Sequence, residues 1–124
     1  MAAAANGTNE KTISPDELVW SEAEERAARE RILRQVAADA GVSPKQAAAV
    51  AALLDEGNTI PFIARYRKEM TGELDENALR AIEERLSYLR GLEERKREVL
   101  RLIAEQGKLT QELRSAIERA AKLQ

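Results

Sequence analysis

The apolar positions of this chain recur at spacings of three and four residues, the pattern of amphipathic helices. No segment shows the strict alternation of apolar and polar residues that a half-buried strand requires. The sequence therefore predicts an all-α fold. The longest stripe predicts one long helix, of about 30 residues, between a cap at Asp75 and a stop at Gly107. Its apolar members are Leu79, Ile82, Leu86, Leu89, Leu92, Val99 and Ile103.

Capping signals predict where the shorter helices begin. Two S-x-x-E/Q boxes start at Ser21 and Ser43, and each precedes a run with helical periodicity. Thr59 precedes Ile60-Pro61, and proline is favoured in the first turn of a helix. Thr110 is the predicted cap of the last helix. The predicted helices cover residues 22–40, 44–56, 60–70, 76–106 and 111 onward.

The first residues of the chain differ from the rest. Residues 1–20 show no apolar period, and Pro15 interrupts them. We expect a disordered tail over residues 1–20, with at best loose contact through Leu18, Val19 and Trp20, and one helical domain over residues 21–124. Trp20 is expected to cover one end of the first helix.

Composition removes several classes of function. The 124 residues include no His and no Cys, so a Ser-His-Asp triad, a thiolate nucleophile and a Cys-based zinc site are excluded. Adjacent acidic residues do not converge on a helix, so we expect no catalysis, no metal and no cofactor. No run approaches the roughly 20 apolar residues of a membrane span, and no secretory signal is visible. The expected location is the cytoplasm, without membrane attachment.

Two basic segments are candidates for binding. In the first, Arg65, Arg67 and Lys68 stand beside Tyr66, so the cations could contact phosphates while the ring stacks on a base. The alternative interpretation places Phe62, Ile63 and Tyr66 in the core and pairs the cations with Glu56, Glu69 or Glu73.

The second candidate lies on the long helix. Arg90, Arg97 and Arg101 share one strip of that helix and could follow a nucleic-acid backbone. The alternative is a solvated face with ion pairs four residues apart. Those pairs would be Arg80–Glu84, Arg90–Glu94, Glu93–Arg97 and Arg101–Glu105.

A longer pattern resembles a known family. The run LLDEGNTIPFIARYRKE at residues 53–69, followed by Thr71-Gly72, closely resembles the N-terminal signature of the Tex family, bacterial transcription accessory proteins that bind RNA. The resemblance continues through EQGKLT at residues 105–110 and covers roughly residues 28–124. Glu73 departs from it, because the family usually has a second glycine there, and Gly91 stands where a charged helix former is usual.

The resemblance implies an N-terminal module of a larger protein. Tex-like proteins have a helical N-terminal region with helix-turn-helix character, an RNase H-like (YqgF-type) domain, helix-hairpin-helix elements and an S1-type RNA-binding domain. The expected function is nucleic-acid binding without catalysis, and the alternative is a structural module that docks on the remaining domains or on a protein partner. Expected partners are RNA, with DNA as a second candidate, those remaining domains and the transcription machinery. The candidate binding residues are Arg65, Tyr66, Arg67, Lys68, Arg90, Arg97 and Arg101.

Overall fold

The computed structural model describes residues 11–120 and confirms the all-α prediction, since these residues form helices and no strand. A single turn of 3-10 helix, Pro15–Glu17, precedes six α-helices in this range. The helices are α1 (Glu22–Ala40), α2 (Pro44–Asp55), α3 (Ile60–Tyr66), α4 (Lys68–Thr71), α5 (Glu76–Glu105) and α6 (Gln111–Arg119).

The predicted caps are confirmed in atomic detail. At each cap a side-chain oxygen accepts a hydrogen bond from the backbone N–H three residues later, which satisfies a donor that the first helical turn leaves unpaired. The caps are Ser21, Ser43, Thr59, Asp75 and Thr110. Both predicted capping boxes are also complete, because Glu24 and Gln46 accept from the backbone N–H of their cap residues.

The predicted helix over residues 60–70 is wrong in one respect, because it breaks at Arg67. The backbone of Arg67 leaves the helical region, with φ −129° and ψ 30°. The carbonyl of Tyr66 would accept from Met70 in a continuous helix, but Met70 N–H bonds to the carbonyl of Arg67 instead. The Arg67 guanidinium donates to the Tyr66 carbonyl at 3.0 Å and so satisfies the group that the break leaves free.

Contacts divide the chain into two compact units, and α5 contributes to both. The larger unit covers residues 21–91. Its core is built from small and branched aliphatic side chains, each of which gains about 1.5–3 kcal/mol on burial when it is as large as Val, Leu or Ile. The buried residues are Val36, Ala37, Ala47, Val50, Ala51, Leu53, Ile60, Ile63, Leu79, Ile82 and Leu86.

The smaller unit combines the end of α5 and α6 with the N-terminal residues that the structure describes. Its core contains Leu18, Leu100, Ala104 and Leu109. Residues 11–20, which we call the strap, lie in this unit, and the strap is tied to the segment before α6 by a hydrogen bond of 2.6 Å from Ile13 N–H to the Leu109 carbonyl.

Residues 11–20 of the expected tail pack in the smaller unit through Leu18 and Trp20, two of the residues for which the sequence left contact open. A short segment without helical periodicity can be anchored by a single buried side chain, and Leu18 is buried in the core of the smaller unit. The first ten residues of that expectation lie outside the described part of the chain. Residues 92–120 pack with the strap in this unit, whereas the sequence assigned residues 21–124 to one domain without it.

In the described part of the chain, none of the helices combines the length and apolar character that a membrane crossing requires.

Candidate nucleic-acid interface

Three large side chains of α3 and α4 are exposed instead of forming core. The solvent-exposed fractions are 37% for Phe62, 54% for Tyr66 and 53% for Met70. Ile63 is fully buried, so α3 is anchored by its opposite face. The interpretation that placed Phe62, Ile63 and Tyr66 together in the core is therefore right only for Ile63.

Two guanidinium groups stack on the exposed rings. Phe62 and Tyr66 contact each other, with their ring centroids 5.1 Å apart and tilted by 47°. Arg67 lies over the Phe62 ring at 4.9 Å, and Arg65 lies over the Tyr66 ring at 5.5 Å. We call Phe62, Arg65, Tyr66 and Arg67 the aromatic–basic patch. Its guanidinium groups are held against rings at the surface, where such contacts contribute about 0.5–1 kcal/mol each.

The cations of this segment have no acidic partner among the residues that the structure describes. Neither Arg65, Arg67 nor Lys68 forms an ion pair there, and the pairing with Glu56, Glu69 or Glu73 is absent from the same residues. Arg65 and Lys68 are both exposed. Positive charge in and beside the patch is therefore available to a ligand.

Arg90 has a different environment, because it is engaged within the larger unit. Its two terminal nitrogens donate to both carboxylate oxygens of Asp55, at 2.9 and 3.0 Å. This hydrogen bonding lowers the pKa of Asp55 and raises the pKa of Arg90. Arg90 thus pairs with Asp55 of α2 and not with Glu94, the partner expected from the sequence. A phosphate would have to compete with a bidentate carboxylate for this guanidinium.

Arg97 and Arg101 belong to the smaller unit and differ in exposure. Arg97 is half-buried, lies over the Trp20 ring at 4.3 Å and pairs with Glu93 at 3.6 Å, as the sequence predicted for that pair. Arg101 is exposed. Their assignment to nucleic-acid contact, like that of Arg90, stays a prediction. The engaged guanidiniums of Arg90 and Arg97 make the aromatic–basic patch the more accessible candidate.

Sequence reasoning missed a second cluster of cations, around Trp20. The indole N–H donates to the Glu118 carboxylate at 3.0 Å, and the Arg114 guanidinium lies over the same ring at 5.1 Å. Lys96 donates to the backbone carbonyl of Glu118 at 3.1 Å. We call Trp20, Lys96, Arg97, Arg114 and Glu118 the Trp20 cluster. The expectation that Trp20 covers one end of the first helix stays a prediction, and no local signal could reveal its contact with a residue 98 positions away.

Within residues 11–120, no group of three or more carboxylates is arranged to hold a metal ion. What these residues form is an all-helical module with exposed aromatic rings and cations on its larger unit. Comparison with known proteins adds the family: the Tex-like protein N-terminal domain matches residues 30–104. The chain belongs to the Tex-like family.

Named relatives agree with this assignment. The chain is 54% identical to transcriptional accessory protein Tex of Neisseria gonorrhoeae over 89 residues, which is 72% of this chain and 12% of that protein. It is 58% identical to protein YhgF of Escherichia coli over 84 residues, 68% of this chain and 11% of that protein. It is 34% identical to human S1 RNA-binding domain-containing protein 1 over 76 residues, 61% of this chain and 8% of that protein. The chain thus spans about an eighth or less of the length of these relatives.

These names describe transcription accessory and RNA-binding proteins and not enzymes. The family is therefore one of nucleic-acid-related transcription accessory proteins. What the whole relatives bind or do is a property of much longer chains than this one.

Proposed function

We propose that this chain is an RNA-contacting module of a Tex-like transcription accessory protein and acts through the aromatic–basic patch without catalysis. The observation that carries the proposal is the exposure of Arg65 and Lys68, without an acidic partner in the described residues, beside an exposed Tyr66. Cations near exposed rings are the chemistry that proteins use on single strands, where the charge follows the phosphates and the rings stack on bases. The cytoplasmic location expected from the sequence belongs to the same proposal.

The expected mode of contact has little sequence specificity. Phosphate contacts position a strand but do not read its bases. Tyr66 adds stacking, which every base can accept. The Arg67 side chain is less free to move than that of Arg65, because it already donates to the Tyr66 carbonyl and stacks on Phe62. Double-stranded DNA is the second candidate ligand, and it offers phosphates without unstacked bases.

The test is a salt titration with labelled single-stranded RNA and with duplex DNA, on the unaltered chain and on Arg65→Glu/Lys68→Glu. Binding of RNA should weaken steeply with salt, and the double variant should flatten the slope of log K against log salt by about 1.4, the value for two lost phosphate contacts on a single strand. The matched control is Arg29→Glu/Arg34→Glu, which makes the same change in net charge at two exposed arginines of α1. Equal effects of both variants would show a general charge effect and would reject the patch.

A docking module is the second candidate function, and the exposed Phe62, Tyr66 and Met70 favour it. Apolar side chains that solvate poorly would be covered if this face packed on another domain or a protein partner. Absence of RNA binding at low salt, by a chain that circular dichroism shows to be helical, would favour docking over nucleic-acid contact. Self-association of the chain that Tyr66→Ala abolishes would support the same conclusion.

A further inference from the structure

The strap presents three chemical features to Arg97, Arg114 and Glu118 of the smaller unit. The flat indole of Trp20 contacts the guanidiniums of Arg97 and Arg114, at 4.3 and 5.1 Å from the ring centroid. The indole edge donates a hydrogen bond to Glu118 at 3.0 Å. The backbone carbonyl of Val19 accepts one from Arg114 Nη2, also at 3.0 Å. The strap therefore supplies a π surface, an edge donor and an oxygen acceptor side by side.

A nucleotide offers the same three features. A base has a π face on which guanidinium planes stack, and its edge carries N–H donors. Phosphate oxygens accept hydrogen bonds from arginine more strongly than a neutral carbonyl does. We propose that the Trp20 cluster is a covered nucleotide-binding site, in which Trp20 occupies the position of a base and the Val19 carbonyl that of a phosphate oxygen. This site is separate from the aromatic–basic patch and belongs to the smaller unit.

Two of the three cations of the cluster have hydrogen bonds that do not involve the strap. Lys96 bonds to the carbonyl of Glu118, and Arg114 Nε bonds to the Glu118 carboxylate at 3.1 Å. Both cations are more than nine-tenths buried. Departure of Trp20 would leave them positioned by α5 and α6, so a ligand would not have to order them.

Trp20 packs against the core of the smaller unit but is only partly buried, so we expect that it can leave while the core stays folded. Leu18 anchors the strap in the core, but the next residue, Val19, is exposed. A rotation of the backbone at Val19 would therefore release the indole while Leu18 stays buried. The strap near the ring has no regular α-helix to break, because α1 begins only at Glu22. Binding of a nucleotide then competes with the packing and the hydrogen bond of Trp20 and with the Val19 carbonyl.

The first experiment compares Trp20→Ala with Leu102→Ala, using fluorescence anisotropy of a labelled oligo(A) RNA. Trp20→Ala uncovers both guanidiniums and should tighten binding about fivefold or more, the lower range for stacking of one base. Leu102→Ala, at an exposed residue of the smaller unit outside the cluster, should leave the affinity unchanged. The gain should disappear in Trp20→Ala/Arg97→Ala and should persist when Arg65→Glu/Lys68→Glu is added. A helical Trp20→Ala variant that binds no tighter, or a gain that survives loss of Arg97, would overturn the site.

A second measurement uses the unaltered chain, and it tests the covered site even if Trp20→Ala loses helicity. Trp20 is the only tryptophan of the sequence, so its fluorescence reports on this cluster alone. Saturation with oligo(A) RNA should displace the indole and increase its quenching by acrylamide. Unchanged quenching at saturation, or no binding at all, would refute the covered site. If Arg65→Glu/Lys68→Glu changed RNA binding no more than its α1 control did, while the effects at Trp20 were observed, the proposed function would be rejected and this inference would stand.

Discussion

Gly72 connects α4 to α5 at a position where an added methyl group would meet the side-chain amide of Gln46. Its φ is +69°, in the left-handed region. A Cβ built there would lie 2.7 Å from Nε2 of Gln46. That nitrogen donates to the carbonyl of Thr71 at 3.1 Å, and the other end of the same amide accepts from Ser43 N–H in the capping box of α2. Gly72 is therefore in contact with the group that ties α4 to the start of α2.

Gly72→Ala should reduce the free energy of unfolding of the larger unit by about 2 kcal/mol. The left-handed backbone costs an alanine about 1 kcal/mol. The Gln46 amide must also move, and loss of its hydrogen bond to the Thr71 carbonyl adds about 1 kcal/mol. Gly41→Ala is the matched control, since Gly41 has a φ of +72° but no atom within 4 Å of an added Cβ. It should show the backbone cost alone, about 1 kcal/mol.

The assay is urea unfolding followed by far-ultraviolet circular dichroism for the unaltered chain and for the two glycine variants. Gln46→Ala and Gln46→Ala/Gly72→Ala complete a double-mutant cycle. Without the glutamine amide, Gly72→Ala should cost no more than Gly41→Ala, which corresponds to a coupling of about 1 kcal/mol. Equal destabilisation by Gly72→Ala and Gly41→Ala in the unaltered background would refute the reasoning, because the two sites differ chiefly in the contact with Gln46.

Three further predictions concern the larger unit and use urea unfolding. Arg90 lowers the pKa of Asp55 in the folded state, so the pair's contribution is complete above about pH 4 and disappears as the pH falls through the lowered pKa. On acidification below about pH 4, Asp55→Asn should therefore lose less stability than the unaltered chain does. At neutral pH the substitution itself should cost less than about 1 kcal/mol, because both side chains of the pair are about half exposed. Parallel pH profiles of the two chains would contradict this. Glu73 has a φ of +65°, so Glu73→Gly should stabilise by about 0.5 kcal/mol whereas Glu73→Ala should be neutral, and a destabilised glycine variant would show that no strain exists there. Leu79→Ala, at a fully buried position, should reduce the free energy of unfolding by about 2–5 kcal/mol, whereas Tyr66→Ala should reduce it by less than about 0.5 kcal/mol. Similar losses for the two variants would mean that the Tyr66 ring is not exposed.

The departure at Glu73 illustrates how a sequence comparison acquires a physical meaning. The resemblance to the Tex family marks residue 73 as a place where a glycine is usual. The structure gives the reason, because the backbone there is left-handed and glycine adopts that conformation without steric strain. The predicted stabilisation by Glu73→Gly follows from the angle and does not depend on the relatives.

The sequence by itself determined the helical class and the starts of the helices. A cap and the N–H that it accepts are three residues apart, as with Ser43 and Gln46, so the whole interaction lies within one short window of sequence. The apolar stripe of α5 is equally local, because the helical repeat alone places Leu79, Ile82 and Leu86 on one face. The candidate residues Arg65, Tyr66, Arg67 and Lys68 could be selected for the same reason, as neighbours in one segment.

Only the tertiary structure decided which of the cations remain accessible. Arg90 could pair with Glu94 on its own helix but pairs with Asp55, 35 positions earlier, because the fold brings α2 beside it. Trp20 reaches Glu118 across 98 positions, and Leu18 turns an aperiodic segment into part of a core. Surface ion pairs within a helix contribute only a few tenths of a kcal/mol. Such weak local preferences yield to whatever partner the burial of apolar side chains brings near, and that partner cannot be identified from spacing along the chain.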